Sequence, residues 1–352
     1  MVSGSGIAQA FKTLLNLFIF GITTLALLSA SFAIYFGYLY EKQGPLKAPI
    51  EITINSGDNI AARLHDAGII ENELTFKIAA RLSNQSKKLQ AGEYAVPAGI
   101  SIKSILNQLV EGKTIQRQIT IREGLTNHEI LLLLNGSKTL KPSQPQMGYE
   151  GLYLPDTYSF QKGDSTSDIL EQMRSAMEKT LFEQCKIEAQ ITKLEDILDY
   201  PCGTSHLKTV RDVITLASIV EKETAQADER AKVAGVFINR LRINMPLQTD
   251  PTVIYAITEG KHENNGKGPL GRRLLKKDLE IDSPYNTYKN AGLPPGPIAN
   301  PGRASIEAVL NPEEHKYLYF VADGTGGHAF GKTLKEHNQN VSKWRKIRKN
   351  SN

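Results

Sequence analysis

The 352-residue sequence predicts an α+β protein with one long apolar N-terminal helix, a small α+β module and a larger mixed α+β domain. Three observations predict it. Residues 13–40 contain no charged side chain, a run long enough for a helix to cross the roughly 30 Å hydrocarbon core of a bilayer. From Ile50 onward, short alternating strand patterns interleave with segments of helical apolar spacing. The hydrophobic fraction of 40% is enough to build ordinary cores over two or three modules.

The apolar run reads as a membrane span after a short tail, 1–12. A cleaved signal peptide is the rival, since Ala30, Ser31 and Ala33 imitate a cleavage site. The run continues through Ile34, Tyr35, Phe36 and Tyr38 to Tyr40, beyond the length of a signal's apolar region, which favours an uncleaved anchor at 13–40. Lys12 on one side faces Lys42 and Lys47 on the other, so charge asymmetry does not orient it.

Next, 50–54 alternates as a strand, Ser56-Gly57-Asp58 turns the chain, and 60–70 has helical spacing. A helix capped by Asn72 extends to Leu82, followed by a strand at 92–96, a helix at 101–111 and a strand at 115–121. ITINSG at 52–57 is echoed by ITIREG at 119–124, each before an amphipathic helix, which suggests two related units: 48–112, and 113–145 ending in a linker. Proline, serine and glutamine at 142–146 mark that linker. The larger domain then spans 146–345, and 346–352 is a basic tail. The five basic residues in 343–349 read as a solvated helix end or a site for anionic polymers. Net charge of +5 without a recognition motif gives no argument for nucleic acid.

Within the larger domain, LASIVEKE at 216–223 puts a carboxylate at the apolar end of a helix. Val213, Leu216, Ala217 and Val220 mark one buried face, and Glu221 shares it. Desolvation there would raise its pKa and prepare it to donate a proton near neutral pH; the alternative is a solvated or paired glutamate near a helix end. Glu223, about 200° further round, should point away. Cys185 and Cys202 are the only cysteines, and either form a disulfide closing a short loop or remain two thiols.

Further blocks come in order: VFINRL at 236–241, LQTDPTVIY at 247–255, SPYNTY at 283–288, GLPPGPIANPG at 292–302 and YLYFVADGTGGHAF at 317–330. With LASIVEKE, and with YEGLYLPDTYSF at 149–160, their order and spacing resemble the YceG-like family of membrane-anchored endolytic murein transglycosylases. At 152–154 this chain has Leu-Tyr-Leu where the family has Tyr-Leu-Phe, an exchange of apolar residues.

The resemblance implies a lytic transglycosylase that cuts the MurNAc–GlcNAc β-1,4 bond of nascent glycan strands and leaves 1,6-anhydro-MurNAc ends. It also implies a cytoplasmic N-terminus, a periplasmic catalytic domain on the inner membrane, and a LysM-like module at 48–112 that either holds glycan or spaces the enzyme. Penicillin-binding proteins or the elongation and division machinery are the implied partners. Glu221 matches the family's catalytic glutamate, serving as acid and then base. Gln248, Thr249 and Asp250, directed by Pro251, supply polar groups for sugar contact, with Asp250 the one candidate for a hydrolytic base. Tyr285, Asn286, Thr287 and Tyr288 combine aromatic faces with polar ends, although both tyrosines also suit a core. Asn300 lies in a stiff Pro-Gly loop that would line the cleft. Asp323, His328 and His337 fit no standard ligand spacing, so no metal and no cofactor are expected, and Gly324, Gly326 and Gly327 read as a hairpin turn. A water-using muramidase and a non-catalytic glycan-binding scaffold are the competing functions.

Overall fold

The computed structural model describes residues 4–187, 194–203, 206–261 and 269–350. Parts of three expectations lie outside these residues: the start of the N-terminal tail (1–3), the middle of the segment between the cysteines (188–193) and the last two residues of the basic tail (351–352).

The chain forms two compact units, Met1–Gln116 and Arg117–Asn352. The first begins with helix α1 (Gly4–Glu41), whose stretch Phe11–Glu41 is apolar, exposed from Phe11 to Tyr35, and long enough to span a bilayer. Its last turns differ from the rest, because Phe36 and Tyr40 pack against the core of the small module. That module runs β1 (Ile50–Ile54), α2 (Ile60–Asp66), α3 (Glu73–Leu82), β2 (Gly92–Val96) and α4 (Ile102–Glu111), with β1 and β2 antiparallel. Helix α2 stops earlier than the spacing predicts. Gly68 takes a left-handed backbone at φ 68°, which ends the helix and sends Ile69 and Ile70 into the core as non-helical residues. Asn72 caps α3 as predicted, accepting from the amides of Leu74 and Thr75.

The second unit starts with β3 (Arg117–Thr120) and α5 (Asn127–Asn135), then β4 (Thr157–Phe160) and α6 (Thr166–Cys185). The ITIREG echo does produce strand, turn and helix, but not an independent module. Strand β3 pairs with β4, and Ile121, Ile130, Leu134 and Leu140 share one core with Tyr153, Tyr158, Phe160, Ile169 and Met173. One strand and one helix have too little apolar surface to stand alone, so this segment completes its core with β4 and α6. The expected linker is correspondingly held in place: Ser143 exchanges backbone hydrogen bonds with the Asn135 side chain and bonds Ser167.

Helix α7 (Val210–Glu223) starts at a capping box in which Thr209 and Asp212 satisfy each other's backbone amides. Every residue from Val213 to Val220 is buried, so α7 is enclosed on all sides by α8 (Arg230–Arg242), α9 (Asp250–Thr258) and α10 (Arg303–Leu310) among others. Each of its aliphatic side chains contributes about 1.5–3 kcal/mol by burial. Strands β5 (Tyr319–Ala322) and β6 (His328–Gly331) form the predicted hairpin, and α11 (Leu334–Asn350) carries the exposed basic residues. Cys185 and Cys202 are disulfide-bonded, tying the end of α6 to the segment before α7.

Candidate active site

The end of α7 presents two carboxylates in different surroundings. Glu221 has a side chain only 5% exposed, and its Oε2 accepts from the Gly302 amide at 2.9 Å. Arg230 reaches its other oxygen at 3.8 Å and the Glu123 carboxylate at 3.3 Å. Burial, followed by the Glu221 charge, holds Glu123 above its ordinary value. The desolvation predicted for Glu221 is thus met by an amide and a guanidinium, and the residue fastens α7 to the Gly302 turn.

Glu223 does not point away. A helical wheel with one buried face places it outside, whereas α7 is central and its opposite side is also covered. Glu223 lies on a cavity of about 500 Å³ shared with Phe237, Arg240, Leu247, Gln248, Thr249, Asp250, Tyr288, Tyr319 and His337, among others. The Thr249 hydroxyl donates to its Oε1. Burial is the main cause that raises its pKa, with Asp250 adding to the shift; Thr249, His328 and Arg240 oppose it.

The cavity wall is built by backbone strain and a buried cation. Gln248 has φ 48°, left-handed for a residue with a side chain, and its amide donates to the Thr287 carbonyl at 3.1 Å. That turn directs Thr249 toward Glu223, so Thr249 stands at the α9 N-cap without using its hydroxyl as a cap. Arg240 donates Nε to the Leu318 carbonyl at 2.7 Å and Nη1 to the Leu247 carbonyl at 2.6 Å, while its guanidinium lies over the Tyr319 ring. Tyr288 donates to Asp250 Oδ1 at 2.6 Å, and burial together with that carboxylate pushes the phenol pKa up, so it stays a donor. The His337 ring stacks on Tyr319, and burial lowers its pKa.

Of the residues expected to touch substrate, Gln248, Thr249, Asp250 and Tyr288 meet at this cavity. The remainder make contacts inside the protein. Asn286 is fully buried and donates to the carbonyls of Leu279 and Ile281. Thr287 accepts from the Thr249 amide and bonds Thr252, and Tyr285 packs on Tyr255 at 4.9 Å. Asn300 is consumed by Leu125, Asn127, Glu150 and the Tyr153 amide. Polar residues in a Pro-Gly-rich loop look the same in sequence whether they hold the loop or face solvent. Arg240 and His337 carry no signal short of the tertiary contacts, whereas Glu223 is visible in the sequence and its periodicity points the wrong way.

The profile of the YceG-like family matches residues 51–343. The chain belongs to the YceG-like family. Among relatives of this YceG-like chain, the endolytic murein transglycosylase of Bacillus subtilis (strain 168) is 34% identical over 85% of each protein. That of Streptococcus pneumoniae (strain ATCC BAA-255 / R6) is 31% identical over 90% of this chain; the match covers 63% of the pneumococcal protein. A crystal structure of a yceG-like protein from Listeria monocytogenes is 32% identical, covering 83% of this chain and 99% of that one with a TM-score of 0.47.

Proposed function

We infer that this protein is a membrane-anchored endolytic murein transglycosylase, and that Glu223 is its acid and base. The observation that carries the catalytic assignment is the raised pKa of Glu223 within a cavity whose polar wall includes Thr249, Asp250 and Tyr288. A carboxyl whose pKa is raised by burial holds its proton more tightly than an exposed one, and it donates that proton to the glycosidic oxygen between MurNAc and GlcNAc. The C1–O bond breaks, GlcNAc leaves with a 4-hydroxyl, and positive charge develops on the muramyl ring. The muramyl 6-hydroxyl then bonds to C1 and returns its proton to the Glu223 carboxylate, giving the 1,6-anhydro end without consuming water. Thr249 holds the carboxyl in position, and Arg240 favours its ionised intermediate state electrostatically.

Asp250 on the same cavity supports a second reading, in which it activates water and the product is a reducing end. Mass spectrometry of uncrosslinked glycan strands incubated with the reconstituted protein separates the two. Anhydromuramyl ends from internal cuts, lost in Glu223→Gln and retained in Glu221→Gln, support the transglycosylase assignment. Reducing ends would overturn it in favour of hydrolysis. Loss only in Glu221→Gln would return the acid role to Glu221, and cleavage by neither variant nor parent would favour a glycan-binding scaffold.

The β1-α2-α3-β2 order supports a LysM-like reading of the small module, with glycan contact or spacing as its role. A cytoplasmic N-terminus with the larger domain on the periplasmic side is supported by the disulfide in that domain, which persists in oxidising compartments. Penicillin-binding proteins and the elongation or division machinery remain proposed partners on the family resemblance.

A further inference from the structure

Within the first unit, the end of the anchor and the small module are one packed body. Phe36 and Tyr40 of α1 lie against the module's core, Glu41 pairs with Lys103 at 2.7 Å, and Lys42 pairs with Glu71 at 2.6 Å. Tyr35 and Tyr38 on the same turns remain exposed, a pattern suited to the headgroup level of a bilayer. The module is therefore fixed beside the membrane surface.

Helix α3 has an outer apolar stripe that the module does not cover. Leu74 is 64% and Leu82 71% exposed, with Ile78 half-buried between them. At about 100° per residue, these three fall within about 80° of each other. Thr75, next round the helix beyond Leu82, lines a cleft with Leu39, Lys42 and Pro45 at the end of the anchor. The stripe is thus continuous with the lipid-facing side of α1. Arg81 and Lys77, the latter paired with Glu73 at 2.7 Å, flank its other edge, and Lys87 and Lys88 come next, exposed in the following loop. Apolar residues bordered by cations are the composition of an interfacial helix.

We propose that the outer face of α3, Leu74, Ile78 and Leu82 with Lys77 and Arg81, seats in the anionic headgroup layer around the anchor. The small module then acts as a membrane-bound collar, which restricts tilting of the chain where it leaves the bilayer.

The test places one fluorescent label on the full-length protein at Leu74→Cys, Leu82→Cys or, as a polar reference in the turn after β1, Ser56→Cys. Both native cysteines are bonded, so each introduced thiol is unique. In vesicles of phosphatidylethanolamine and phosphatidylglycerol, labels at 74 and 82 should be several-fold less accessible to aqueous iodide than the label at 56. They should also be quenched by lipids brominated near the headgroup. Equal iodide access at all three positions overturns the proposal. Protection that grows with protein density in the vesicle assigns the face to a second copy, and protection that needs added glycan assigns it to the substrate; either overturns the lipid seat. Replacing phosphatidylglycerol by phosphatidylcholine, or Lys77→Glu with Arg81→Glu, should reduce protection. Protection unchanged by both would overturn the anionic requirement.

Discussion

Glu221 and Glu223 are two residues apart, yet their neighbours give them different work. Glu221 is bound by the Gly302 amide and Arg230, so Glu221→Gln exchanges a charge-assisted contact for a neutral one. Its expected cost is about 1–3 kcal/mol, read as a lower denaturant midpoint with cleavage retained in the folded fraction. Glu223→Gln should leave the midpoint near the parent's and lower cleavage about 10²–10⁴-fold, the range of a lost proton-transfer group. A third carboxyl, Glu150, sets a pH dependence of stability. Burial raises its pKa from 4.5 to about 7 although it accepts from the Asn127 amide and Asn300. The native fold binds this proton more tightly than the unfolded chain does. Its contribution is therefore full below 4.5 and is lost as pH rises through about 7. The shift corresponds to at most about 3 kcal/mol, and a pH series of unfolding curves should show a flatter profile for Glu150→Gln.

At the scale of elements, α7 is the part on which the site depends, because it carries both glutamates and is enclosed from Val213 to Val220. Removing its cap with Thr209→Ala should cost about 1 kcal/mol, seen as a lower melting temperature. The disulfide between Cys185 and Cys202 spans a sequence separation of 17 and ties down the approach to the same helix. Its double replacement by serine should destabilise the second unit by about 3 kcal/mol in the chain-entropy view. A midpoint unchanged from the parent under oxidising conditions would refute that contribution. Most elements were legible before their contacts were known. The strands at Ile50–Ile54 and Gly92–Val96, the Asn72 cap and the hairpin at Gly324 arise from alternation and turn chemistry, which act within a few residues. The partner of β3 was not legible, since its pairing with the sequence-distant β4 is decided by which apolar faces complete a core.

For the whole molecule, the packing of Phe36 and Tyr40 fixes where the anchor can be removed. A chain starting at Glu41 loses both rings from the small module's core, whereas one starting at Ala33 keeps them. The shorter chain should aggregate or unfold at lower denaturant, and equal behaviour of the two would show that those contacts are dispensable. Sequence alone determined the apolar span, the order of elements in the small module, the family resemblance and four of the cavity residues, because composition, periodicity and local turn chemistry are properties of neighbouring positions. Tertiary structure decided which glutamate faces the cavity, that Asn286 and Asn300 brace loops, and that Arg240 and His337 join the wall. The physical reason lies in α7: a helical wheel distinguishes inside from outside only when one face is buried, and the middle of this helix is covered on every side, so the surrounding packing alone decides that Glu221 meets the Gly302 amide and Glu223 meets the cavity.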